Sequence, residues 1–237
     1  MSSPLVASLA AFLVTLLSGL GALTFRRHKS VVFASCAGAL LGGAAFFLLP
    51  DAFHFFEESA STLPSYFVWA VAALGFAAFY VLETLRKAQS SARIAGLGGA
   101  LALAAHSFID GVIIGEGFLA GGETGFVLAV AVMLHRLADG ASAVGIMLGT
   151  EHGLRQTAAM LLVTALAPIA GALVPSFLPL PAIFLSLLLA FFSGMLLYLG
   201  AKHLLPEARR AAASSLTVAA SFAGGFVLVY AAYLLAH

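Results

Sequence analysis

Two neighbouring apolar stretches, at about residues 94–118 and 124–149, each hold one copy of a six-residue pattern: His106-Ser107-Phe108-Ile109-Asp110-Gly111 and His135-Arg136-Leu137-Ala138-Asp139-Gly140. Each copy reads His-x-x-x-Asp-Gly and falls near the middle of its stretch. A helix needs about 20 mostly apolar residues to cross a hydrocarbon layer roughly 30 Å thick, and both stretches are long enough. An Asp at the centre of such a helix costs roughly 2.5–3.5 kcal/mol on insertion scales, so two of them demand compensation. The rest of the chain has the same character, being 62% hydrophobic and only 9% charged over 237 residues. Soluble domains carry about 25% charged residues. This composition excludes soluble enzyme folds, nucleic-acid-binding modules and disulfide-stapled secreted domains. The lone Cys36 has no intramolecular partner for a disulfide.

Working outward, eight apolar runs fit membrane spans: approximately 4–25, 31–53, 65–85, 94–118, 124–149, 156–176, 181–203 and 213–235. They use nearly the whole chain, which reads as a single all-α transmembrane domain over residues 1–237. Continuous apolarity without period-two alternation argues against a barrel. Basic residues orient the spans. Arg26, Arg27 and Lys29 follow span 1, Arg86, Lys87 and Arg93 separate spans 3 and 4, Arg155 follows span 5, and Lys202, Arg209 and Arg210 separate spans 7 and 8. The opposite loops carry Asp51, Glu57, Glu58, Glu116 and Glu123 and no Lys or Arg. By the positive-inside rule the basic loops are cytoplasmic and both termini face outward. Span 1 has its positive charges after it, the wrong polarity for a cleaved signal, and is expected to stay. A second echo joins spans 2 and 7, which end Leu48-Leu49-Pro50-Asp51-Ala52 and Leu204-Leu205-Pro206-Glu207-Ala208. These copies run in opposite directions, as in the inverted repeats of many transporters.

Residues four apart share a helix face, so each central motif presents one imidazole and one carboxylate in the same direction. If the faces meet, His106, Asp110, His135 and Asp139 surround one point in mid-bilayer. The plainer reading is an interhelical hydrogen-bonded pair that glues two helices. Two copies of the same pair at equal depth favour a divalent cation. Two nitrogens and two carboxylate oxygens suit tetrahedral Zn²⁺, and they also accept Fe²⁺, Co²⁺, Mn²⁺ or Cd²⁺. Arg136 is the one basic residue away from the cytoplasmic ends. It either lowers the insertion cost of the two Asp, or lowers the charge of the empty site to about −1 and keeps a second cation out.

These residues resemble the ZIP (Zrt-/Irt-like protein) family of divalent metal transporters, prokaryotic type. The likeness rests on the eight-span plan, the span 4 and span 5 motifs and the Leu-Leu-Pro-acid ends of spans 2 and 7, and covers essentially the whole chain. It implies a 3+2+3 arrangement in a bacterial inner or other plasma membrane, and zinc passage toward the cytoplasm by alternating access, with the middle spans moving against a scaffold. His106, Asp110, His135 and Asp139 take the primary metal site. Where the family pattern is His-Asn-x-Pro-Glu-Gly, this chain has Ser107, Ile109 and Asp110, and span 5 has Ala138 and Asp139 for Pro and Glu. Ser107 and Arg136 stand where a second metal would draw ligands, so one ion is expected.

Asp51, His54 and Glu58 are spaced to line one helix face as an entrance, and His203 and Glu207 are four apart at an exit. The first set reads equally as a solvated helix end, and the second reads more readily as one. Gly38 and Gly42, with Ser221 and Gly225, suit a close helix contact, either within the chain or in a homodimer. The 20 Phe read as lipid-facing bulk. Expected partners are therefore a divalent metal ion and the lipid bilayer, with a homodimer left open and no nucleic acid. The competing class is an intramembrane zinc hydrolase using the same cluster, with Ser107 as its one candidate nucleophile and no His-Glu-x-x-His motif.

Overall fold

The computed structural model describes residues 3–25, 27–87, 92–150, 152–178 and 180–236; Arg26, one of the orienting charges, lies outside them. Among the described residues there are no strands, and eight helices are long and apolar enough to cross a membrane. They are α1 (Pro4–Thr24), α2 (Lys29–Glu58), α3 (Tyr66–Lys87), α4 (Ala92–Ala120), α5 (Gly122–Gly149), α6 (Leu154–Ser176), α7 (Ala182–Arg210) and α8 (Ser215–Ala236). Pro4 opens α1 behind an Ser3 N-cap whose hydroxyl accepts the Val6 N–H at 3.4 Å. Proline is preformed for a first helical turn, where no intrahelical donor is needed.

Helices α2 and α7 outrun the apolar stretches that announce them, and both contain a π-helical turn, Ala44–Leu48 and Leu199–Leu204. Each turn ends two residues before a proline, Pro50 or Pro206. Proline has no N–H for the carbonyl four residues back, so the hydrogen-bond ladder slips there instead of stopping.

Close backbone contacts sort the helices. A Cβ on Gly140 would collide with the Thr15 carbonyl, one on Gly111 with that of Pro168, and one on Gly171 with that of Phe108. Those contacts hold α1, α4, α5 and α6 together. In the other group, Gly38 meets the Phe222 carbonyl and Gly225 that of Ser35, while Gly75 meets Phe191 and Gly194 meets Ala72. These pair α2 with α8 and α3 with α7. The small-residue seam of α2 and α8 is thus used inside the chain.

The two ends differ in charge. Arg93 donates to Gln156 at 3.2 Å, and Gly149 lies against Glu207, which gathers one end of α4 to α7 beside Arg155, Arg209 and Arg210. At the other end, His54 and Glu58 of α2 share a cavity with Glu116 and Thr124. Tyr66 and Trp69 are exposed at the start of α3, the position where amphipathic rings favour a membrane interface.

Candidate metal centre

Gly121 alone separates α4 from α5, so the two helices lie side by side and antiparallel. His106 stands fifteen residues before that turn and His135 fourteen after it. Equal rise along two helices brings both imidazoles to one depth. Their ring centroids are 5.8 Å apart with planes 26° from parallel. His135 Nε2 is 3.3 Å from Asp110 Oδ2, and His106 Nε2 is 3.6 Å from Asp110 Oδ2 and 3.9 Å from Asp139 Oδ2. One ligand atom from each of the four residues fits in a set no wider than 4.8 Å, and all four residues are buried. Tetrahedral zinc with ligands at 2.0–2.2 Å has ligand-to-ligand edges of about 3.3–3.6 Å. The cluster is therefore within small side-chain adjustments of that geometry.

Its polar atoms are incompletely used. Neither ring nitrogen of His106 has a hydrogen-bond partner among the described residues, and neither does Asp139 Oδ2. His106 is 0% exposed, so no bulk water replaces the missing bonds. Buried orphaned polar groups cost about 1–3 kcal/mol each, a cost that a bound cation would remove.

Arg136 is fully buried beside the cluster. Its Nη1 donates to Asp110 Oδ2 at 2.9 Å, its Nε to Thr15 Oγ1 at 2.8 Å and its Nη2 to the Thr164 carbonyl at 3.2 Å. The Thr164 carbonyl is available because Pro168, four residues on, has no N–H to give it. The glycine of each motif has a plain role too. Gly140 admits the Thr15 turn of α1 and Gly111 admits the Pro168 turn of α6.

Aromatic rings close the site. Phe47 lies 5.2 Å from His135 and Phe192 5.9 Å from His106, centroid to centroid. Both are buried, as are Phe33, Phe55 and Phe56, so the reading of the phenylalanines as lipid-facing bulk fails for all of these. Their positions reflect long-range packing, which spacing along one helix does not encode. Ser107 Oγ has no hydrogen-bond partner among the described residues. Among the described residues no base is hydrogen-bonded to it, as a hydrolase's nucleophile would require.

The outlying candidates divide. His54 and Glu58 line the acidic-end cavity of about 220 Å³, and Asp51 is not among its lining residues. Glu116 joins them, accepting the Leu180 N–H at 2.7 Å. It stands roughly 120° around α4 from Asp110, which keeps it out of the centre and turns it toward the cavity. At the basic end His203, within the π turn before Pro206, lines a cavity of about 90 Å³ with Glu83 and Tyr198. Glu207 pairs with Arg210 at 2.5 Å. Tyr198 donates a short hydrogen bond to Glu83. Sequence reading missed Glu83, Thr15 and Pro168; the one available signal was a proline inside an apolar helix.

A family model described as ZIP Zinc transporter matches residues 86–232, more than half of the chain and including all four clustered residues. The match leaves α1 and α2 and most of α3 outside it. No curated protein matches the chain.

Proposed function

The chain belongs to the ZIP zinc transporter family, and from that premise we propose that it carries Zn²⁺ across the membrane, one ion at a time, through His106, Asp110, His135 and Asp139. Membership makes it a multi-pass membrane transporter of divalent metal and not an enzyme. The observation that carries the site assignment is the buried imidazole of His106, with both nitrogens unbonded, facing two carboxylates. Zinc fits the near-tetrahedral spacing and the absence of thiolate; Cd²⁺, Fe²⁺, Mn²⁺ and Co²⁺ are the competing cargoes.

Charge supports a single ion. Two carboxylates and Arg136 give about −1 with neutral histidines, and a bound divalent ion gives about +1. A second ion would have to sit beside a fixed guanidinium. The arrangement of helices supports alternating access, with α1, α4, α5 and α6 moving as a unit against α2, α3, α7 and α8. The inverted repeat is supported by paired contacts. The α2–α8 glycine crossing mirrors that of α3–α7, the α1–α5 contact mirrors α6–α4, and both π turns precede Leu-Pro-acid at the same offset. Under the positive-inside rule the basic end is cytoplasmic, both termini are outside, and the membrane is the plasma or bacterial inner membrane. His54, Glu58 and Asp51 then attract ions at the outer mouth, and His203 and Glu207 receive them on the inner side.

The test is flux. Purified protein in liposomes holding a zinc-sensitive dye is compared with His106→Ala and Asp139→Ala. Zinc-dependent signal lost in both variants supports the proposal. Undiminished flux in either variant would remove that residue from the site.

A further inference from the structure

We propose that Thr15 and Pro168 are positioning residues that hold Arg136 back from a two-pronged grip on the site carboxylates, leaving those oxygens available to the metal. The inference rests on the metal-site reading above and adds the control of that site by groups outside it.

A guanidinium presents five N–H donors in a rigid planar fork and pairs readily with carboxylates through two parallel bonds. Arg136 sits between two buried carboxylates and makes no such pair. Only Nη1 reaches one, Asp110 Oδ2 at 2.9 Å, and the same nitrogen stays 3.9 Å from Asp139 Oδ2. The other donors point elsewhere. Nε bonds Thr15 Oγ1 at 2.8 Å and Nη2 bonds the Thr164 carbonyl at 3.2 Å.

Both acceptors are prepared for this. The Thr15 hydroxyl gives its own hydrogen to the Ala11 carbonyl at 2.9 Å, which turns its lone pairs toward the guanidinium. The Thr164 carbonyl would normally take the N–H of residue 168, and proline has none. Backbone contacts at Gly140 and Gly111 fix the distance of both anchors from the carboxylates. With Nε held by Thr15 and Nη2 held by the Thr164 carbonyl, the fork is fixed on its two anchors and only Nη1 reaches a carboxylate. Asp139 Oδ2 consequently keeps no hydrogen bond among the described residues. Freed from an anchor, Arg136 would close on Asp110 or Asp139 with two bonds and compete with the ion for the same oxygens.

Zinc binding to the full-length protein in detergent, measured by competition with a chromophoric chelator, tests this. Thr15→Val is nearly isosteric and removes one anchor, so the dissociation constant should rise by about tenfold, the worth of one added charge-assisted bond to the competitor. In an Arg136→Gln background the same Thr15→Val change should shift it less than about twofold, because no guanidinium remains to restrain. Pro168→Ala, which returns an N–H to the Thr164 carbonyl, should repeat the pattern and decides the matter if Thr15→Val does not fold. Equal shifts in both backgrounds, or no shift with Arg136 present, would overturn the positioning role while leaving the metal site standing. Failure of the unmodified protein to bind zinc would overturn the metal-site reading itself.

Discussion

In the α4 copy of His-x-x-x-Asp-Gly the imidazole of His106 has no hydrogen bond on either nitrogen among the described residues, whereas in the α5 copy His135 reaches Asp110 Oδ2 at 3.3 Å. The carboxylates differ in the opposite sense. Asp110 of the first copy receives both His135 and Arg136, while Oδ2 of Asp139 in the second has no hydrogen bond among the described residues. One position accounts for much of this. The residue after the histidine is Ser107 in α4, whose hydroxyl has no hydrogen bond among the described residues, and Arg136 in α5, with bonds to three other helices. Two copies of one motif thus build a cluster with a tethered guanidinium on one side and, among the described residues, polar atoms without hydrogen bonds on the other.

The comparison can be broken most forcefully at the ligands. His106→Ala and Asp139→Ala remove the unbonded half, and zinc affinity should fall by on the order of 100-fold or more, beyond the 10–100-fold typical of outer-shell changes. Isothermal titration would show it. A milder loss than for residues behind the ligands would mean that His135 and Asp110 suffice. Next come the glycines that both copies share. Gly111→Ala and Gly140→Ala each drive a Cβ into a backbone carbonyl, of Pro168 or Thr15. Each should lower stability by about 1–3 kcal/mol, read as a lower thermal midpoint in detergent. Stability kept in one variant and lost in the other would show that only one copy is pressed against its neighbour.

Arg136→Ala sharpens the asymmetry. Zinc should bind more tightly and turnover should fall by roughly tenfold, since an empty carrier of charge −2 is harder to return through the bilayer. Unchanged affinity, stoichiometry and turnover would leave the guanidinium with no role beyond lowering insertion cost. Ser107→Ala should do least. It deletes a buried hydroxyl that makes no hydrogen bond among the described residues, so affinity should stay within about twofold.

The spans and the central motif were legible because each depends on local pattern. Long apolar runs define helices in lipid, and a four-residue spacing fixes a shared face; the structure brings those four side chains together. Three things were not legible. One is the π turn before Pro206, because helical spacing assumes an unbroken ladder. Thr15, Pro168, Phe47 and Phe192 reach the site across helices, and their spacing along the chain says nothing of that contact. Glu116, about 120° around α4 from Asp110, shares the acidic-end cavity with His54 and Glu58.

The most direct measurement is anomalous diffraction at the zinc edge from crystals equilibrated with Zn²⁺. One peak is expected, about 2.0–2.2 Å from ligand atoms of His106, Asp110, His135 and Asp139, with Arg136 still bonded to Thr15. Two peaks in the centre, or a single peak bound elsewhere while these four side chains stay unliganded, would contradict a one-ion His and Asp site.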